Sequence, residues 1–174
     1  VLDALSDEDM VAAQRRNLMD PAAPNPSVEA LLHAFLPHRF IDHTHATSLL
    51  ALADQPDAEA LCREVFGDRV VVVPYVMPGF ALAKACAERF EAAIAAGGPA
   101  PEGMVLLKHG LFSFADTARD SYDRMIELVR LAERHLAAGR LQFQSAALPA
   151  SPAPAATLLP RLRGALGRAA ASAG

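Results

Sequence analysis

Two histidines stand one residue apart in FIDHTHATSLL, residues 40 to 50. On an extended strand, side chains two apart point to the same side. His43 and His45 would then aim both rings at one point, while Asp42 and Thr44 face the other way. Paired imidazoles at that spacing suit a divalent first-row ion such as zinc, iron, manganese or nickel. Alone the pattern is weak, because a polar or packed histidine pair reads the same way. His109 directly precedes a glycine at the end of a later apolar stretch. There it is either a turn residue bonding backbone or a third ring reaching the same pocket. Glu29 lies near the start of the helix before the histidine pair, where the helix dipole favours an anion. Beside a metal, the same carboxylate could act as a base. His33 and His38 flank a helix end and read as capping or packing residues. His135 reads as a solvated cation near a helix C-terminus.

Other chemistries find no motif here. The chain has no GxSxG, no GxGxxG and no Walker loop. A net charge of -4, with no basic stripe interleaved with aromatics, argues against nucleic acid or an anionic membrane as the main partner. Cys62 and Cys86 are too few for a disulfide framework and read as reduced, buried thiols of a cytoplasmic protein. No apolar run reaches membrane-spanning length. The acidic start, VLDALSDEDM, is unlike a secretory signal, and a first residue of Val rather than Met suggests missing upstream sequence.

The elements that must position these residues follow from pattern. DEDMVAAQRR predicts a short helix capped by Ser6 or Asp7, and the proline-rich residues 20 to 27 a loop. Ser27 can cap a helix from Val28 to about Phe35, which Pro37 stops. RFIDHTHA is a short strand. A turn at Gln55-Pro56 leads to a helix from about Asp57 to Phe66, closed by Gly67. DRVVVVPY lacks polar alternation and predicts a strand covered on both faces. FALAKACAERFEAAIAAGG is an Ala-rich helix, and MVLLKHGLFSF two strand pieces meeting at His109-Gly110. A long helix follows, capped by Asp116 or Thr117 and ended by Gly139, with Tyr122, Met125, Ile126, Val129 and Leu136 as its apolar stripe. Alternating strands and helices indicate an α/β domain with helices on both faces of a sheet. The Ala/Pro/Ser-rich residues 146 to 174 read as a linker containing a short terminal helix.

With PSVEALLHAFLPHRFIDHTHA followed by VLLKHGLFSFADTARDSYDRMIELV, residues 1 to 145 resemble the class II aldolase/adducin superfamily. Within it they resemble most the aldolase part of bifunctional rhamnulose-1-phosphate aldolase/alcohol dehydrogenase proteins. The resemblance implies a three-layer α/β/α domain around a mixed, largely antiparallel sheet. It implies that His43, His45 and His109 hold a zinc ion, with other divalent first-row metals possible. Glu29 would complete the site at rest and serve as general base in turnover. Ser27 matches the first serine of the family's Ser-Ser-Glu stretch, which helps hold the substrate phosphate, whereas Val28 stands where the second would be. The resemblance also implies a proton-donating tyrosine, which the sequence does not assign between Tyr75 and Tyr122.

The implied reaction is zinc-dependent cleavage of a ketose 1-phosphate, such as rhamnulose 1-phosphate, into dihydroxyacetone phosphate and lactaldehyde through a metal-stabilised enediolate. A sugar-phosphate epimerase, decarboxylase or dehydratase would use the same ligand set, and a non-catalytic adducin-like module would share the fold. Other implied properties are a small sugar-phosphate partner, a homotetramer, and no nucleic-acid or membrane partner. The tail would lead to a dehydrogenase domain. The upstream loops that carry most of the family's phosphate contacts have no counterpart before Ser27, so the isolated chain is expected to be poorly active or inactive.

Overall fold

A computed structural model describes residues 4–139 and 153–172. The chain divides into two compact units, Val1–Arg140 and Leu141–Gly174. In the first, a four-stranded sheet has the order β1-β4-β3-β2, built from β1 (Phe40–Thr44), β2 (Val70–Val73), β3 (Gly103–Leu106) and β4 (Gly110–Ala115). β4 pairs antiparallel with β1 and β3, and β2 runs parallel to β3. The sheet is therefore mixed and largely antiparallel, the arrangement expected from the resemblance. A parallel pair needs a long crossover, which α5 (Phe80–Ala95) supplies between β2 and β3.

Helices cover both faces. On one side α2 (Ala30–Phe35) and α5 place Leu32, Leu82, Cys86 and Phe90 against Val71, Val73, Met104, Leu106, Phe112 and Phe114 of the sheet. On the other, α3 (Thr47–Ala53), α4 (Ala58–Phe66) and α6 (Ala118–Ala138) pack Leu49, Leu52, Cys62, Phe66, Met125 and Leu128 against Val70, Val72, Val105 and Leu111. The four valines of β2 divide between the two cores, which explains why that strand has no polar alternation. Phe112 and Phe114 are fully buried, and burial of such a side chain contributes about 1.5–3 kcal/mol. β4 is paired on both edges and buried along its whole length, as is its neighbour β3.

Local signals account for most boundaries. Ser6 caps α1 (Asp7–Arg16) by accepting from the Asp9 amide at 3.1 Å. Gly67, at φ 56°, ends α4 in a conformation other residues disfavour. Thr117 caps α6. Three expectations need correction. α3 occupies the run after His45, for which pattern predicts no element, and no side-chain hydrogen bond caps it. The buried face of α6 centres on Ser121, Met125, Leu128 and Ala132, while Tyr122 is exposed. Ser121 is accommodated by hydrogen bonding with Ser113, so a polar residue outside the expected apolar stripe sits inside. In the second unit, the short helix expected in the tail is α7 (Ala155–Ser172), 18 residues long, with Pro160 inside it. The boundary expected near residue 145 lies outside the described residues.

Cys62 and Cys86 are free and buried, in α4 and α5. Burial pushes their thiols up to about 11 and about 12, respectively. The thiolate is the reactive species, so neither is expected to react with a disulfide reagent at pH 8 in the native protein. Both should react promptly in denaturant. Fast native labelling of either would show that its helix opens far more readily than the packing implies. No helix among the described residues is long and apolar enough to cross a membrane.

Candidate metal centre

The ends of the strands define the site. β2 and β3 finish where β4 begins and β1 stops, so Val73, Leu106, Gly110 and Thr44 share one end of the sheet. The β3–β4 turn, Leu107 to His109, is tied down there. The Leu107 amide donates to Val73 O at 3.0 Å, Lys108 to Ala53 O at 3.2 Å and His109 to Leu106 O at 3.1 Å. Lys108 takes φ 59°, the left-handed residue usual in three-residue hairpin turns. The turn that carries His109 is thus held by β2, β3 and the end of α3.

β1 brings the other rings. His43 sits opposite Phe112 in the ladder and stacks on its ring, with centroids 4.0 Å apart and planes 15° from parallel. His45 lies one residue past the strand, yet its Nε2 is 2.9 Å from that of His43. Glu29 occupies the N-cap position of α2 without a side-chain capping bond, and its Oε1 is 2.6 Å from His109 Nε2 and 3.7 Å from His43 Nε2. One potential ligand atom from each of the four residues lies within 4.8 Å of every other. His109 and His43 are 8% and 13% exposed at the side chain and Glu29 is 19%, whereas His45 is open to solvent.

The donor set fits a divalent cation. The Leu111 carbonyl can only accept, so His43 Nδ1 carries the proton and donates to it at 3.0 Å. Its Nε2 then presents a lone pair to the cluster. Burial lowers the His43 pKa below its usual value, and the neighbouring His45 and His109 push the same way. The Leu111 hydrogen bond and Glu29 pull it up, but less strongly. A neutral ring is what a metal requires. His109 Nδ1 is buried without a hydrogen-bond partner among the described residues. Three imidazoles and a carboxylate converging from two β-segments and one loop are chemistry suited to a first-row ion.

The sequence profile described as Class II Aldolase and Adducin N-terminal domain matches residues 1–136. The chain belongs to this family. At 35% identity over 134 residues it is similar to YuxG of Bacillus subtilis (strain 168), an uncharacterized oxidoreductase, and covers 77% of itself but only 19% of YuxG. It is also similar to the N-terminal class II aldolase domain of a conserved protein from Thermoplasma acidophilum. That match has 38% identity and a TM-score of 0.66, over 78% of this chain and 60% of that one. A sugar-phosphate aldolase from Thermotoga maritima shares the fold at 22% identity and a TM-score of 0.53, over 69% and 58% of the two chains. The chain therefore spans about a fifth of YuxG and three fifths of the Thermoplasma domain's chain.

In this class II aldolase-family domain, Ser27 lies outside the four-residue cluster. It is exposed on the turn before α2, and its hydroxyl accepts from the Glu29 amide at 3.2 Å. The helix starts two residues later than expected, at Ala30. Ser27 shapes the turn that presents Glu29. His33 and His38 pack on aromatic rings, His33 edge-on to Phe112 and His38 stacked on Phe114 with centroids 4.4 Å apart. A groove of about 690 Å³ between α2 and α5, lined by Phe35, Phe80 and Lys84 among others, contains none of the four clustered residues. Sequence reasoning missed Leu111 and Phe112 as supports for His43. One contributes through its backbone, and the other looked like ordinary core.

Proposed function

We propose that the chain is the aldolase part of a longer polypeptide and cleaves a ketose 1-phosphate, such as rhamnulose 1-phosphate, to dihydroxyacetone phosphate and lactaldehyde. The observation that carries this reading is a carboxylate, Glu29, placed against two of three convergent imidazoles and accessible from solvent. His43, His45 and His109 would hold a divalent ion, zinc being the first choice for neutral nitrogen ligands. When bound, the ion supplies Lewis acidity, drawing electron density from a substrate carbonyl.

The residues do the rest. In the condensation direction Glu29 removes a proton from the carbon beside the carbonyl of dihydroxyacetone phosphate. That carbon bonds to the aldehyde carbon of lactaldehyde, whose oxygen takes up a proton; cleavage runs in reverse. Tyr75 lies on the loop leaving β2, at the same end of the sheet as the cluster, whereas Tyr122 begins α6 beyond the opposite end of β4. Tyr75, half exposed, is therefore the better candidate for the proton donor. Ser27 would contribute to phosphate binding. The name and length of YuxG support a parent with a separate oxidoreductase part. A cytoplasmic homo-oligomer acting on a small sugar phosphate, with neither nucleic acid nor membrane as partner, completes the proposal.

The test offers rhamnulose 1-phosphate to metal-loaded protein and reads dihydroxyacetone phosphate by coupled NADH oxidation. The expected result is product equal to substrate lost, slowly for this chain alone and faster for the longer polypeptide. Substrate loss without dihydroxyacetone phosphate would favour an epimerase. No conversion by the longer, metal-loaded form would end the proposal.

A further inference from the structure

A β-carbon built on Gly110 would lie 2.7 Å from Thr44 O, 2.8 Å from His45 Cδ2 and 2.9 Å from His43 Cε1. Contacts this close require something to shift. The Thr44 carbonyl is held in the β1–β4 ladder, where Thr44 faces Leu111. The two rings are the movable parts, and in each the threatened carbon is bonded directly to Nε2, the nitrogen aimed into the cluster. The ring of His43 has little freedom elsewhere. The Phe112 ring stacks against it and the Leu111 carbonyl fixes Nδ1.

We propose that Gly110, Leu111 and Phe112 form a seat for His43 of β1 and His45 just beyond it, in which the missing side chain at Gly110 sets the separation and direction of their Nε2 atoms. Gly110 is thus a positioning residue, required because a methyl group would occupy the space of the rings. This deepens the metal-site reading and rests on it. Three consecutive residues of a buried, central strand supply a gap, a hydrogen-bond acceptor and an aromatic face. Each acts on the same imidazole from a different direction. Outer groups that orient metal ligands commonly set affinity as strongly as this.

Cobalt(II) titration of wild type, Gly110→Ala and Phe112→Leu tests the seat, following affinity and the visible ligand-field spectrum, with far-UV circular dichroism confirming the fold. Gly110→Ala is expected to weaken binding by roughly 10–100-fold and to change the spectrum. Phe112→Leu removes the stacking face without approaching Thr44 and should give a smaller loss in the same direction. It keeps the test decisive where Gly110→Ala fails to fold. Folded variants with wild-type affinity and spectrum would overturn the seat. A wild type that binds no cobalt would instead remove the metal-site reading beneath it.

Discussion

Replacing His45 by alanine is expected to abolish divalent-ion binding at the cluster while leaving the fold in place. His45 is exposed, lies beyond the last residue of β1 and belongs to neither core. Its ring meets those of His43 and His109, at centroid distances of 4.7 and 5.1 Å. Little packing is lost on truncation, so the stability change should stay near the roughly 0.5 kcal/mol typical of surface positions. The metal cost is of another order. Removing an outer-shell partner costs about 10–100-fold in affinity, and removing one of three ligand nitrogens should exceed that. Metal analysis after dialysis should find about one equivalent in the wild type and almost none in His45→Ala. Equal contents would mean that the imidazoles converge for some other reason.

The complementary substitution, Glu29→Gln, should spare metal binding and sharply slow turnover. Glutamine keeps the shape of the side chain and one oxygen, but it is neither anionic nor basic. Three imidazoles remain to hold the ion, so metal content should be nearly unchanged. General-base contributions typically run to about 10²–10⁴-fold, and kcat should fall by that amount with a smaller change in KM. The experiment belongs in the longer polypeptide, where activity is expected to be measurable. Normal turnover in a metal-replete Glu29→Gln protein would take the base assignment away from this residue. The pair of variants therefore separates holding the ion from moving the proton.

Much of this organisation was legible in the sequence because it rests on local rules. Valine runs, Gly67, and the caps Ser6 and Thr117 announce their elements through short-range sterics and hydrogen bonds. The spacing of His43 and His45 suggested a shared side, and the structure puts their Nε2 atoms 2.9 Å apart although β1 ends at Thr44. What could not be read depends on partners distant in the chain. Ser121 is buried because Ser113, on another element, satisfies it. Leu111 reaches His43 through a backbone carbonyl that every residue possesses, and the requirement at Gly110 exists only once β1 lies beside it. α3 is hard to read because seven residues without a side-chain cap give little periodic signal.

The pairing of β1 with β4 carries one more consequence. His43 faces Phe112, and a slip by one residue would turn alternate side chains of β1 to the opposite layer. Asp42 or Thr44, depending on the direction of the slip, would then face Phe112 in place of His43, and the ligand set would be broken. An ion with affinity only for the properly aligned ladder draws misaligned chains toward it by mass action. A bound cation would thereby favour the aligned ladder over its slipped alternatives.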